Sequence, residues 1–238
     1  MKVRIVSYSV ADTDFVNQCQ EEARSKGQTE PEFADIQDLI AFCARVSNPS
    51  NQMNEETSTK LIKYLIKHAH WSPLEMVNAC LEIDTTRDIA HQIVRHRSFA
   101  FQEFSQRYAN PKEMGDMFVI REARMQDEKN RQNSIELDLE NVEHVALLEK
   151  WEEMQQNVIY AATTAYNWAI NSGIAKEQAR AVLPEGLTKT RLYMNGTLRS
   201  WIHYIELRGA NGTQKEHMMI AHACADLIAK IFPLVKEL

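Results

Sequence analysis

The sequence predicts an α+β fold: a helix-rich single domain over residues 1–238 with a small antiparallel sheet. Three observations predict it. Segments with helical apolar spacing outnumber runs rich in β-branched residues, and both kinds follow one another without repeat, low-complexity tract or linker. With 238 residues, 44% of them hydrophobic, the chain is long enough to bury one sizeable core. Only seven glycines occur, and none forms G-x-G-x-x-G or a phosphate-binding P-loop. A dinucleotide would therefore be held by side chains.

The opening Val3-Arg4-Ile5-Val6-Ser7-Tyr8 reads as a strand. A first helix is predicted from Glu32 to Val46, where Ile36, Leu39, Ile40 and Cys43 share a face and Asn48-Pro49 ends the run. A second runs from Asn54 to His68 with Leu61, Leu65 and Ile66 inward, and Met76 to Ile83 follows as a strand. Thr85-x-x-Asp88 has the form of a capping box, which predicts a third helix from Thr85 into Arg95. Phe118 to Ile120 reads as a short strand. The polar stretch 122–141 reads as a charged surface insertion leading into a long helix, Val142 to Asn171, closed by Ser172-Gly173. A short helix precedes Pro184, a strand covers Leu187 to Met194, and two helices, Thr197 to Arg208 and Gln214 to Phe232, finish the chain.

Composition narrows the function classes. No run of 18 apolar residues exists, and the N-terminus reaches Ser7 too soon for a secretory core, so neither a membrane span nor export is expected. Cys19, Cys43, Cys80 and Cys224 are far apart, which argues against a disulfide framework or a thiolate metal site and fits the cytoplasm. The net charge of -6 speaks against a general nucleic-acid coat. Cations are nevertheless concentrated: residues 85–108 carry four Arg against two acids, and residues 180–208 carry five Lys/Arg against two. Such islands suit a compact anionic ligand.

The densest constellation is Gln92-Ile93-Val94-Arg95-His96-Arg97, followed by Ser98 to Tyr108. If 101–107 is extended, period two puts Phe101, Glu103, Ser105 and Arg107 on one face, joining an acceptor, a hydroxyl and a bidentate donor. A solvated basic helix end with an ordinary ion-paired Glu103 is the plain alternative. On the later helix, a rotation of about 400° over four residues places Arg199 and His203 together. Arg208 lies roughly 180° from Arg199, so either the helix ends between them or they serve different sites. His68-Ala69-His70 and the pair His217, His222 lack helical i, i+4 spacing with carboxylates, so no metal is expected. Ser72-Pro73-Leu74-Glu75 reads equally as a capping box, and Arg180 as surface charge.

The run Arg95-His96-Arg97, seven residues, Ser105, one residue, Arg107 resembles the signature of the flavin-dependent thymidylate synthases. His70-x-Ser72-Pro73-x-Glu75, Gln92, Gln178-Ala179-Arg180-x-x-Leu183-Pro184 and Leu198-Arg199-Ser200-Trp201 through Leu207-Arg208 agree in order, over roughly residues 35–230. The resemblance implies the thymidylate synthase-complementing type of α+β fold, in a homotetramer with sites at subunit interfaces. It implies reductive methylation of dUMP to dTMP with FAD as cofactor and with NADPH and 5,10-methylenetetrahydrofolate as co-substrates. By position, Ser72, Arg95, His96, Arg97, Glu103, Thr197, Arg199 and His203 would bind FAD. Gln92, Arg95, Glu103, Ser105, Arg107, Arg180 and Arg208 would bind dUMP, and Arg208 would be catalytic by favouring ionisation at N3 of the uracil. Ala100 stands where many relatives have serine, Leu74 where phenylalanine is common, and Thr197 and His203 where some have asparagine.

Two other readings remain at this point. Arg95 and Arg97 interleaved with Phe99, Phe101, Phe104 and Tyr108 would suit a single-stranded nucleic-acid surface. A flavoprotein that has lost methyl transfer would share the same cofactor residues.

Overall fold

The computed structural model describes residues 2–237. In chain order its elements are β1 (Lys2–Tyr8), α1 (Thr13–Ser25), α2 (Ile36–Ala44), α3 (Ser58–Lys67), β2 (Asn78–Thr86), α4 (Arg87–Ile93) and β3 (Ala100–Glu103). Then come β4 (Arg124–Gln126), β5 (Ser134–Glu136), α5 (Val142–Asn171), α6 (Lys176–Ala179), β6 (Lys189–Thr197), α7 (Leu198–Gly209) and α8 (Lys215–Ile228). Helices and a four-stranded antiparallel sheet of order β1-β2-β6-β3 make this a mixed α+β structure, with β4 and β5 as a separate hairpin.

Alternation in the two central strands makes the sheet two-faced. Leu81 pairs with Met194 and Ile83 with Leu192, and all four are fully buried. Each such side chain contributes roughly 1.5–3 kcal/mol by leaving water. Leu198, Trp201 and Ile202 of α7 and Ile220, Ala221, Cys224 and Ile228 of α8 belong to the same apolar cluster. The Trp201 indole, buried there, donates to the Ala79 carbonyl at 3.0 Å, so its polar atom is satisfied. The opposite face is ionic: Glu82 is held between Arg4 at 2.8 Å and Arg191 at 3.5 Å, and Arg191 also grips Asp84 at 2.6 Å. The Arg4 hydrogen bond leads the effects that keep the Glu82 carboxyl below its ordinary range.

Several boundaries differ from the sequence reading, each for a local reason. Helix α1 was not anticipated, although Asp12 caps it by accepting from Asp14 and Phe15, and Cys19 and Ala23 are buried at i, i+4. Strand β2 runs through Thr86, because Thr85 and Thr86 pair with Thr190 and Lys189. The ladder therefore overrides the capping pattern, helix α4 starts at Arg87, and the Thr86 hydroxyl bonds the Asp88 carboxylate rather than a backbone N–H. Helix α4 ends at Ile93, short of the predicted Arg95, so Arg95 lies with His96 and Arg97 beyond its end. Of Phe118 to Ile120, only Phe118 forms a bridge, to Thr188. Helix α8 stops at Ile228, short of the predicted Phe232.

The stretch 122–141 contains the β4–β5 hairpin, and it is anchored: Arg124 pairs with Glu216 and Lys215 bonds Glu136 at the start of α8. Helix α5 is capped by Asn141 and closes at Gly173, whose φ of +78° is the left-handed conformation glycine accepts. Along α5, Leu147, Trp151, Met154 and Val158 are exposed at 4-3-4 spacing.

Gly196 in β6 has a steric role. A Cβ there would lie 2.4 Å from the Phe99 ring, which itself packs edge-on against Trp201 at 4.9 Å. Gly196→Ala is expected to lower stability by about 1–3 kcal/mol through overpacking, read as a fall in the denaturant midpoint. An unchanged midpoint would show that Phe99 moves aside freely.

Candidate active site

Strand β2 delivers α4 and, after it, the turn carrying the arginine pair. Arg95 and Arg97 are exposed and make no hydrogen bond or ion pair among the described residues. In a chain of net charge -6, two adjacent cations without carboxylate partners mark a place for an anion. His96 between them points inward. Its Nε2 accepts from Arg208 Nε at 2.9 Å, and its ring meets Tyr204 edge-on at 5.0 Å. That bond requires a lone pair on Nε2, so the ring is neutral with its proton on Nδ1. Burial, then the Arg208 charge, hold His96 below the ordinary histidine range. The contact uses only the Nε hydrogen of Arg208 and leaves both terminal amino groups free for a ligand.

His217 lies behind this pair, fully buried, between the Tyr204 hydroxyl at 3.1 Å and Gln92 Oε1 at 3.2 Å. Burial first, then Arg208 and His96, push its pKa down to about 4. Burial likewise raises Tyr204 well above a normal phenol. Arg208 thus stands against two neutral imidazoles and a neutral phenol, with no carboxylate among the described residues contacting it.

Arg199 and His203 share one face of α7, as the helical geometry requires. Arg199 pairs with Glu75, and His203 sits edge-on against Trp71 at 4.6 Å, so both face the short 3-10 turn Ser72–Glu75. Ser72 is exposed on that turn, whereas Leu74 is fully buried in the core. Thr197 is the N-cap of α7, accepting from Ser200 N at 3.3 Å. Helix α7 is unbroken from Leu198 to Gly209, so Arg199 and Arg208 serve different surroundings rather than sitting on separate helices.

The segment expected to be extended over 101–107 is extended only to Glu103. Ser105 opens a turn, its backbone carbonyl accepting from Tyr108 and Ala109 and its hydroxyl from Arg107 N at 3.4 Å. The common face of Glu103, Ser105 and Arg107 is therefore not formed. Glu103 instead accepts from Thr190 at 2.9 Å and pairs with Arg87 at 3.3 Å. Arg107 lies 3.9 Å from Glu177, and Arg180 donates to the Glu177 backbone carbonyl, so these two arginines gather around α6. Lys176 ties the turn there through the Tyr108 carbonyl at 3.0 Å. The aromatic surface of the alternative nucleic-acid reading is not formed either: Phe99, Phe101 and Phe104 are half-buried, and of the four rings only Tyr108 is exposed.

The predicted residues thus fall into three open groups on the surface. Three cavities of 760, 470 and 430 Å³ lie elsewhere and are lined by none of them. Among the described residues no group of three His, Cys, Asp or Glu is placed to hold a metal. Sequence reasoning missed Tyr204, Gln214, Glu177 and Thr190, which carry no motif signal, and weighed His217 only as a metal ligand.

The His217 environment has a measurable consequence. Its folded pKa lies below the ordinary value, so the unfolded chain binds the extra proton first. The stability this contributes is complete above about pH 6.5 and is lost as pH falls toward 4. His217→Gln should therefore show a shallower fall in Tm between pH 6.5 and 4 than the parent protein. Parallel curves would remove His217 as the source.

Comparisons with known proteins bear on what this arrangement is for. A sequence profile described as thymidylate synthase complementing protein matches residues 31–234. A "Probable flavin-dependent thymidylate synthase" of Paramecium bursaria Chlorella virus 1 is 49% identical over 202 residues, covering 84% of this chain and 89% of that one. A "Flavin-dependent thymidylate synthase" of Synechocystis sp. is 49% identical over 198 residues, covering 83% and 86%. The crystal structure of PolB, a UMP/dUMP methylase from Streptomyces cacaoi bound with 5-Br dUMP, has a TM-score of 0.75. It covers 99% of this chain and 93% of that one at 22% identity, which shows a shared fold. On the extent of the profile match and the identity to these relatives, the chain belongs to the thymidylate synthase complementing protein family.

Proposed function

We propose that this protein is a flavin-dependent thymidylate synthase, which converts dUMP to dTMP with FAD as cofactor, NADPH as reductant and 5,10-methylenetetrahydrofolate as carbon donor. Residues 1–238 act as one catalytic unit within a homotetramer in the cytoplasm, and sites are completed at subunit interfaces. The observation that carries the reading is the Arg95-His96-Arg97 turn, with two unpaired guanidiniums outward and a neutral imidazole holding Arg208 inward. The 49% identity of two flavin-dependent relatives over most of both chains supports it. The open, separated groups around α4, α6 and α7 support completion by a neighbouring copy. No helix among the described residues is long and apolar enough to cross a membrane.

The donor set suits FAD. Arg95 and Arg97 offer fixed N–H forks to a pyrophosphate, His96 flanks them, and Ser72, Thr197, Arg199, His203 and Glu103 supply hydroxyl, cationic and acceptor groups. When bound and reduced, FAD supplies the hydride. Gln92, Arg95, Glu103, Ser105, Arg107 and Arg180 bind dUMP, with Arg107 and Arg180 around α6 matching its phosphate. Arg208 acts on the uracil. A guanidinium oriented by His96 and facing no carboxylate of its own keeps its full charge for negative charge developing at N3 and the adjacent carbonyl oxygens. His96 keeps that guanidinium in place because it accepts at Nε2 and remains neutral.

An absorbance spectrum of the purified protein with FAD, then with dUMP, tests the reading. A flavin band that survives desalting and shifts with dUMP is expected. A colourless protein that binds single-stranded DNA with steep salt dependence would replace the reading with the nucleic-acid one. Arg107→Ala should weaken dUMP by about 1.5–3 kcal/mol while flavin content stays intact. Unchanged dUMP affinity would take Arg107 out of the site. Arg208→Ala should lower kcat far more than it raises the KM for dUMP, and equal turnover would end its catalytic role.

A further inference from the structure

Gln92 is one link in a chain of hydrogen bonds that runs from the buried core to the β4–β5 hairpin. Its Nε2 donates to Gln214 Oε1 at 2.8 Å, and Gln214 Nε2 donates to Glu216 Oε2 at 3.0 Å. The other Glu216 oxygen receives Arg124 from the hairpin. On the inner side, Gln92 Oε1 meets His217 Nδ1, and His217 Nε2 meets the Tyr204 hydroxyl.

The chain has one possible direction. Burial favours protonation of Glu216, but the bonds and charges of Arg124 and Arg121 outweigh it, so its carboxyl titrates below the ordinary range. An ionised carboxylate only accepts, so Gln214 must turn its NH2 toward Glu216 and its carbonyl toward Gln92. Gln92 must then present its NH2 to Gln214 and its carbonyl to His217. His217 carries its proton on Nδ1, and Tyr204 donates to Nε2. Without Gln214, the Gln92 NH2 has no other hydrogen-bond partner among the described residues, and Gln92 and His217 can reverse together, the amide turning its NH2 to Nδ1 while Nε2–H donates to the Tyr204 hydroxyl.

We propose that Gln214, on the loop between α7 and α8, is a positioning residue for nucleotide binding that fixes which way the Gln92 amide faces. The proposal rests on the reading of Gln92 as a dUMP ligand. It also assigns a role to the anchored hairpin: through Arg124, the 122–141 segment holds the carboxylate that gives the chain its direction.

The test uses the full-length, FAD-loaded protein, with dUMP binding followed by the flavin spectrum and turnover by steady-state kinetics. Gln214 is exposed, so Gln214→Ala leaves the core untouched. Its Kd and KM for dUMP should rise about 3–10-fold, the scale of one hydrogen bond, with flavin content and kcat retained. Gln92→Ala should weaken dUMP at least as much. The double variant should bind no worse than Gln92→Ala alone, because Gln214 acts only through Gln92. Parent-like dUMP binding by Gln214→Ala, or additive losses in the double variant, overturns the positioning role. Parent-like binding by Gln92→Ala overturns it at its root, by removing Gln92 from the nucleotide site.

Discussion

The antiparallel ladder between β2 and β6 is the constraint on which the rest of the structure depends. Its nine pairs, from Asn78 opposite Thr197 to Thr86 opposite Lys189, fix the inner apolar face and the outer ionic face together. A slip of β2 by one residue against β6 would turn Leu81 and Ile83 outward and bring Glu82 into the core. Because the strands run in opposite senses, α4 leaves the ladder at one end and α7 at the other. Each helix then returns across the inner face, and this brings His96, just past the end of α4, against Arg208 in the last turn of α7. The central contact of the candidate site therefore follows from strand register, although its two residues lie 112 positions apart.

Around that contact, polar groups are kept neutral so that one charge stands out. Arginine does not give up its proton in the accessible pH range, whereas histidine and tyrosine respond to burial by remaining uncharged. His96, His217 and Tyr204 all take that course. In the sheet and beside it, Arg191 is matched with Asp84 and Arg121 with Asp88. Among the described residues Arg95, Arg97 and Arg208 have no such acid partner, which leaves their charge uncompensated within the chain.

Much of this was legible in the sequence, and the remainder was not for identifiable reasons. The long helix 142–171 and the strands around Leu81 and Leu192 follow from periodicity and caps, which are local. The shared face of Arg199 and His203 follows from helix geometry alone. The end of β2 could not be read locally, since Thr85 and Asp88 form a good capping pattern and only pairing with β6 overrules it. The extended reading of 101–107 failed because β3 pairs with β6 for only four residues, after which the Ser105 turn takes over. Tyr204, Gln214 and His217 were hidden as site residues because their contacts with Gln92 and Arg208 exist only after α7 and α8 pack.

Helix α5 carries a consequence for the newly made chain. Leu147, Trp151, Met154 and Val158 form an uncovered stripe at the spacing by which helices mesh with one another, and Trp168 stands exposed further along. A newly made chain displays that stripe to every other chain in its surroundings. Clumping through the stripe grows with the concentration of newly made chains, so soluble yield depends on the rate of synthesis and on temperature as well as on the stability of the folded state.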